Sequence, residues 1–136
     1  MGVISHPIVT AAQVVLGLQT VVSRNIDLTQ EPAVVTIGMI HGGVRENIIP
    51  DKVEMGGTIR TFDEGMRDDI HERVTTLAEA VARGSRATCK VCVTKNYPVT
   101  INDPALTAAM LPTLQRVAGL GLHEVPKITA SEDFSF

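Results

Sequence analysis

Two stretches of the chain carry apolar residues at helical spacing. Between residues 7 and 23 they recur every three or four positions, which predicts an amphipathic helix. A second stripe occupies residues 66–81, and it consists of Met66, Ile70, Val74, Leu77 and Val81. Asp63 before this stripe is a residue type that caps helices, and Gly84 after it is one that often ends them. The pattern therefore predicts a second helix from about Asp63 to Gly84.

Three other segments have the composition or the alternation of strands. Residues 33–40 are rich in valine and isoleucine, and they lie between Pro32 and a glycine pair. Residues 52–61 alternate apolar and polar side chains, and we expect them to form the antiparallel neighbour of the first strand. Residues 87–97 alternate in the same way. The predicted order is thus helix, strand, strand, helix, strand.

A further unit is predicted to begin after residue 100. Asn102 and Asp103 supply a helix cap, and Pro104 suits the first turn of a helix. Apolar residues follow at helical spacing, although Pro112 should kink the helix. We therefore divide the chain into residues 1–100 and residues 101–136.

Composition places the chain among folded domains with an aliphatic core. Hydrophobic residues make up 44% of its 136 residues and aromatic ones only 3%. The formal net charge of −3 gives no general attraction to nucleic acid or to an anionic membrane. No apolar run approaches the length of a membrane span, and the first residues lack the basic start of a secretory signal. These features predict a cytoplasmic protein without nucleic-acid or membrane partners.

The two cysteines, Cys89 and Cys92, have a spacing found in redox and metal sites. They fall in the predicted strand 87–97, whereas a redox pair of this kind normally opens a helix. A zinc site would also need a second pair of ligands, which the neighbouring sequence lacks. We interpret both cysteines as structural thiols, with Cys89 the buried one.

The strongest candidate for chemistry combines an amide and an arginine. Asn47 precedes Pro50 at the mouth of a turn, and Arg60 follows on the polar face of strand 52–61, together with Thr58. A guanidinium fork on a strand suits a carboxylate, which it can bind with two hydrogen bonds. The alternative is an ordinary hairpin with a surface arginine.

The segments His41-Gly42-Gly43, Asn47-Ile48-Ile49-Pro50-Asp51 and Gly57-Thr58-Ile59-Arg60-Thr61 resemble the dimerisation, or lid, domain of zinc-dependent amidohydrolases. This family includes hippurate hydrolases, indole-acetyl-amino-acid hydrolases and N-acyl-amino-acid deacetylases. Residues 11–24 resemble the first lid helix and the loop that follows it. Residues 131–134 (Ser-Glu-Asp-Phe) resemble a segment beyond the lid, where the chain re-enters the catalytic domain.

The resemblance implies an α+β fold. We expect residues 1–100 to form a ferredoxin-like lid, with an antiparallel sheet, two helices on one face and its first strand missing. Residues 101–136 would then be a partial α/β segment of the catalytic domain. The lid implies a homodimer.

The resemblance also implies a function and a site. The parent enzyme would hydrolyse the amide bond of small N-acyl amino acids, with zinc or another divalent metal. Asn47 and Arg60 would contact the substrate carboxylate or the developing oxyanion, partly across the dimer interface. Gly42 and Gly43 would allow close approach of the backbone, and Glu132 and Asp133 would lie next to the active site.

The segments that carry the family's metal ligands and general base are not recognisable here. The four histidines are scattered along the sequence: His6, His41, His71 and His123. We therefore predict no catalytic residue, metal ligand or cofactor for this chain alone, and we expect it to be inactive by itself. The alternative is a stand-alone, non-catalytic dimerisation module. A complete small enzyme using His41 with Glu46 has little support.

Overall fold

The computed structural model describes residues 5–25, 31–123 and 125–126. The chain divides into two compact units, Met1–Thr94 and Lys95–Phe136. The first unit contains helix α1 (Pro7–Asn25), strands β1 (Ala33–Gly42) and β2 (Val53–Thr61), and helix α2 (Glu64–Gly84). The second contains helix α3 (Pro104–Ala118) and a short 3-10 turn, Gly119–Gly121. Each helix and the first two strands thus form where the sequence patterns predict them.

The residues that the sequence predicts to begin and to end α2 do so in the structure. The Asp63 carboxylate accepts a hydrogen bond from the backbone N–H of Met66 at 2.6 Å, which satisfies a donor that the first helical turn leaves unpaired. The helix ends at Gly84, and the backbone N–H of Ser85 donates to the Ala82 carbonyl at 3.0 Å. Asp63 is therefore the N-cap that the sequence predicts.

The core of the first unit lies between the two helices and one face of the sheet. Its buried members come mostly from α1 and α2: Val14, Leu18, Val21, Ala33, Ile70 and Ala78. Inward-facing residues of both strands pack against them, namely Val35, Ile37, Met55 and Ile59. Both helices therefore cover the same face, which confirms the α+β arrangement of an antiparallel sheet with two helices on one side. No helix in the described ranges is long and apolar enough to cross a membrane.

The strand predicted for residues 87–97 is not formed. The sheet of the described residues has two strands, β1 and β2. Residues 87–91 do alternate between half-buried and exposed side chains, and Cys89 and Val91 pack against the core. Cys89 and Val91 thus lie on the apolar face that the alternation predicts, whereas Val93 is exposed, and the segment pairs with no strand among the described residues. Alternating apolar and polar residues indicate that one face of a segment is buried. A strand also requires a neighbouring strand with which its backbone forms hydrogen bonds.

Helix α3 begins where the Asn102-Asp103-Pro104 sequence predicts. The Asp103 carboxylate accepts from the backbone N–H of Leu106 at 2.7 Å, and the helix continues across Pro112. None of its residues is buried. The assignment of residues 101–136 to a catalytic domain stays a prediction.

Candidate functional site

The hairpin of β1 and β2 contains all of the predicted site residues that the structure describes. The strands pair antiparallel, from Ala33 opposite Thr61 to Gly42 opposite Val53. The register is interrupted once, because Ile37 lies opposite Gly57 and Met39 lies opposite Gly56. Gly38 is therefore an extra residue in β1, which makes it a β-bulge.

The bulge decides which side chains share the outer face of the sheet, the face away from the helices. Side chains alternate along a strand, so one extra residue moves every later one to the opposite face. In the observed register His41 lies opposite Glu54 on the outer face, and Ile40 lies opposite Met55 on the inner face. An unbroken register would place His41 opposite Val53, facing the helices. Because Gly38 is left out of the ladder, the imidazole of His41 lies on the outer face.

Arg60 lies on this outer face, as the sequence predicts. It is exposed and sits opposite Val34, while its neighbour Ile59 packs against the core. Thr58 lies on the same face opposite Thr36. A ligand that approaches the outer face near this end of the hairpin therefore meets a guanidinium and two hydroxyl groups.

Asn47 lies in the loop at the other end of the hairpin. It is exposed and belongs to a turn in which the Ile48 N–H donates to the Arg45 carbonyl at 3.2 Å. The strand from Val53 to Arg60 covers about 23 Å at the usual rise per residue. Asn47 and Arg60 therefore share one small carboxylate only if the loop folds back along the outer face, or if two copies each supply one residue. Their joint role stays a prediction.

The glycines of the hairpin are required by its own geometry. A Cβ atom on Gly42 would stand 2.6 Å from a methyl group of Val53, and Gly43 has a left-handed φ of +86°. A Cβ on Gly57 would stand 2.2 Å from the Thr36 carbonyl oxygen, which belongs to the backbone of the paired strand. These contacts account for the three glycines structurally. The predicted approach of substrate to Gly42 and Gly43 stays a prediction.

A charged pair lies at the loop end of β2, with Lys52 immediately before the strand and Glu54 within it. Lys52 Nζ and Glu54 Oε1 are 2.8 Å apart. The hydrogen bond and the charge of Lys52 lower the pKa of Glu54, and His41 opposite adds a smaller effect in the same direction. The same hydrogen bond raises the pKa of Lys52. The sequence analysis did not predict that His41, Lys52 and Glu54 lie near one another. The signal that could have indicated it is Gly38, because a glycine inside a run of β-branched residues often marks a bulge.

The remaining candidate residues do not form a site in the part of the chain that the structure describes. Across residues 5–25, 31–123 and 125–126 there is no group of three or more histidine, cysteine or acidic side chains that could hold a metal ion. The described residues therefore do not fit a metal centre. Glu132 and Asp133 lie outside the described residues.

Both cysteines are free thiols, with Cys89 half-buried and Cys92 exposed. Burial raises the pKa of the Cys89 thiol, and the charge of Glu79 adds to the effect. A higher pKa disfavours the reactive thiolate. The geometry agrees with the structural role predicted for Cys89.

Comparison with known proteins identifies the family to which the hairpin and its helices belong. The family model described as a peptidase dimerisation domain matches residues 2–86. The N-acetyl-L-cysteine deacetylase of Bacillus subtilis is 35% identical over 130 residues, which are 96% of this chain and 31% of that protein. The N-acetyldiaminopimelate deacetylase of Leuconostoc mesenteroides is 34% identical, over 96% of this chain and 34% of the relative.

A carboxypeptidase is also among the relatives. Thermostable carboxypeptidase 2 of Saccharolobus solfataricus is 33% identical over 95% of this chain and 32% of its own length. The chain thus spans about a third of the length of the curated relatives it matches.

Two solved structures have the same fold. One is a proposed aminohydrolase from methicillin-resistant Staphylococcus aureus, with a TM-score of 0.72 and 32% identity over 82% of this chain and 28% of that one. The other is a dinuclear metal-binding peptidase of the M20 family from Bacillus subtilis, with a TM-score of 0.68 and 31% identity over 84% of this chain and 29% of that one. The family match covers more than half of the chain, and the chain therefore belongs to the M20 peptidase dimerisation-domain family.

Proposed function

We propose that this chain is the lid and the start of the returning catalytic segment of a metal-dependent amidohydrolase that cleaves the amide bond of N-acyl amino acids. Its own contributions would be dimerisation and binding of the substrate carboxylate. The observation that carries the proposal is the similarity to deacetylases of N-acetyl amino acids across nearly the whole chain. Because the chain spans about a third of those enzymes, hydrolysis would belong to a longer protein.

The exposed Arg60 supports a role in carboxylate binding. Its position on a paired strand limits backbone movement, and the outer face of the sheet leaves its side chain accessible. A guanidinium held in this way can orient a carboxylate with two charge-assisted hydrogen bonds. An N-acyl amino acid presents one such carboxylate beside the amide that is cleaved.

An apolar groove supports association with a second copy. It has a volume of about 460 Å³ and lies between α1 and β1, and its lining is almost entirely apolar: Ala12, Val15, Leu16, Ile37, Gly38, Met39 and Ile40. Leu16 is 71% exposed, and Met39 and Ile40 are also exposed. Apolar surface of this kind on a chain that matches a dimerisation domain fits a homodimer contact.

The role of Arg60 is tested in an active chimera, in which residues 7–94 replace only the residues aligned with them in the Bacillus subtilis N-acetyl-L-cysteine deacetylase. Arg60→Ala is expected to lower kcat/KM for N-acetyl-L-cysteine by about tenfold to a hundredfold, the loss that follows removal of a charged hydrogen-bond donor. Arg73→Ala is the matched control, because Arg73 pairs with Asp69 on the exposed surface of α2. Equal kcat/KM values for the two variants would contradict the role given to Arg60.

The second candidate is a stand-alone dimerisation module without catalysis. The apolar groove favours it, because a dimer contact needs no metal and no substrate. Whether this chain alone is active can be tested directly. The assay measures hydrolysis of a panel of N-acyl amino acids with and without zinc, manganese or cobalt. Metal-dependent turnover would contradict both candidates, since each expects this chain alone to be inactive.

A further inference from the structure

The loop between β1 and β2 contains a β-turn formed by residues 45–48. The Ile48 N–H donates to the Arg45 carbonyl at 3.2 Å, which closes the turn and leaves Glu46 and Asn47 at its two corners. All four side chains are exposed. Neither corner residue has a positive φ, so the turn accepts other side chains at these two positions without backbone strain. The turn therefore presents an acid, an amide and an aliphatic group side by side to solvent.

The charge of Glu46 is not offset by another side chain in the described part of the protein. Within those ranges Glu46 forms no ion pair or side-chain hydrogen bond, and the same holds for Arg45 beside it. Lys52 is the next basic residue along the chain, and its ammonium lies 2.8 Å from Glu54, so it is already paired. A cationic ligand group that reaches this turn therefore meets a carboxylate with no partner among the described residues.

Aliphatic side chains lie on both sides of the turn corners. Val44 precedes the turn and is 89% exposed, whereas Ile48 and Ile49 follow Asn47 and are 53% and 47% exposed. Removal of such apolar surface from water is favourable, so an apolar ligand group gains free energy by covering it. The turn thus combines one acidic group with aliphatic surface, and Asn47 lies between them in the sequence.

A ligand side chain that matches both features has an aliphatic stem and a cationic end. The side chains of lysine and ornithine have this form, because methylene groups separate their ammonium from the backbone. The two ends of a β-turn lie within about 7 Å of each other, so one such side chain can contact Ile48 with its stem and Glu46 with its ammonium. An acidic side chain in the same place would be repelled by Glu46.

We propose that Glu46 selects N-acyl amino acids with a basic side chain, whose aliphatic stem lies on Ile48 while its ammonium pairs with the Glu46 carboxylate. The role given to Glu46 rests on the proposed function and on the substrate contact expected of Asn47. Glu46 determines specificity and takes no part in cleavage of the amide bond. Because the side chain of the substrate does not change during the reaction, the pair forms equally in the bound substrate and in the transition state, and it acts mainly on KM.

The proposal is tested in the chimera used for Arg60, with Nα-acetyl-L-lysine and Nα-acetyl-L-norleucine as substrates. Norleucine is lysine without its side-chain amino group, so the ratio of the two kcat/KM values isolates the charge. Glu46→Gln is expected to lower this lysine-to-norleucine ratio by about twofold to fivefold, as for the loss of one exposed ion pair. Glu46→Lys is expected to lower it further, because it replaces attraction with repulsion. A derivative that is hydrolysed too slowly is measured as a competitive inhibitor of N-acetyl-L-cysteine hydrolysis.

A matched variant and a change of salt separate the charge of Glu46 from a structural effect. Glu72→Gln makes the same substitution at an exposed position of α2 and should leave the ratio unchanged. The effect of Glu46→Gln should shrink in about 1 M sodium chloride, where charges are screened over about 3 Å. A structural disturbance at Glu46 would lower kcat/KM for both substrates alike and would not depend on salt.

An unchanged ratio in Glu46→Gln would overturn the proposal, and so would a lysine derivative that is neither hydrolysed nor inhibitory at millimolar concentration. Asn47→Ala distinguishes this failure from failure of the proposed function. If Asn47→Ala lowers kcat/KM for both substrates while Glu46→Gln leaves the ratio unchanged, the turn binds substrate and only the preference for a basic side chain is wrong. If neither variant changes any value, the turn has no part in substrate binding, and its role in the proposed function is wrong as well.

Discussion

His41 faces Glu54 across the hairpin, on the outer surface of the sheet, because Gly38 is an extra residue in β1. The bulge is a single residue, yet it sets the facing of the last four residues of the strand. It places Met39 and His41 outward, and it turns Ile40 toward the helical side. The chemistry of the outer face near the loop therefore depends on a backbone irregularity three residues away from the histidine.

Deleting Gly38 is expected to remove the bulge and to leave His41 opposite Glu54, because the pairs on either side of the bulge, Ile37–Gly57 and Met39–Gly56, then become adjacent. The imidazole stays on the outer face, so the free energy of unfolding should change by less than about 1 kcal/mol. The measurement is urea unfolding, together with nuclear Overhauser contacts between His41 and Glu54. Gly38→Ala is the control, because a Cβ there meets nothing within 4 Å. Loss of the His41–Glu54 contact in the deletion variant would contradict the prediction.

Gly57→Ala is expected to destabilise the hairpin. The new Cβ would stand 2.2 Å from the Thr36 carbonyl oxygen, and a backbone atom in a paired strand has little freedom to move away. We expect a loss of about 1–3 kcal/mol in the free energy of unfolding. Gly84→Ala, at the end of α2, is the matched control because its Cβ would meet nothing within 4 Å. If the two variants were equally stable, the hairpin would accommodate a Cβ at Gly57 without a steric clash, and the prediction would be wrong.

Ile70→Ala is expected to lower the free energy of unfolding by about 2–5 kcal/mol. Ile70 is 0% exposed and belongs to the central cluster between the helices and the sheet, so truncation leaves a cavity. Thermal and urea unfolding monitored by circular dichroism measure the loss. Ile101→Ala, at a residue that is 77% exposed, should change stability by less than about 0.5 kcal/mol. A small effect at Ile70 would mean that the core is less closely packed than described.

Leu16→Glu is expected to abolish the homodimer proposed for the groove between α1 and β1. A carboxylate at this position would have to lose its hydration against apolar residues of the second copy. Sedimentation velocity at micromolar concentration is the measurement, with an unaltered far-ultraviolet circular dichroism spectrum as the check on folding. Leu120→Glu is the control, because Leu120 is 97% exposed and lies outside the groove. A dimer that persists in Leu16→Glu would place the interface elsewhere.

Titration of Glu54 is expected to depend on Lys52. The pKa of Glu54 is lowered by the Lys52 hydrogen bond first and by its charge second, so the stabilisation is present above the ordinary glutamate pKa and is lost as pH falls through the lowered value. In Lys52→Ala, the pKa of Glu54 should rise toward its ordinary value. The pKa of Glu54 is measured from the carbon-13 chemical shift of its side-chain carboxyl group as the pH is varied. Lys95→Ala should leave the titration unchanged, and an equal rise in both variants would exclude the pair as the cause.

Helices and strand faces could be predicted because their signals are local. The stripe from Met66 to Val81, capped by Asp63, identifies α2 from spacing alone. Alternation in β2 likewise places Ile59 inward and Arg60 outward without knowledge of any neighbour. These properties follow from backbone periods of 3.6 and 2, which the sequence alone displays.

Only the tertiary structure decided what depends on pairing between distant residues. The bulge at Gly38, and with it the outward position of His41, arises from the register against β2. Residues 87–97 have the alternation of a strand, yet within the described ranges they pair with no other strand. Hydrogen bonding between strands joins residues far apart in sequence, so it is fixed by the assembled sheet and not by local pattern.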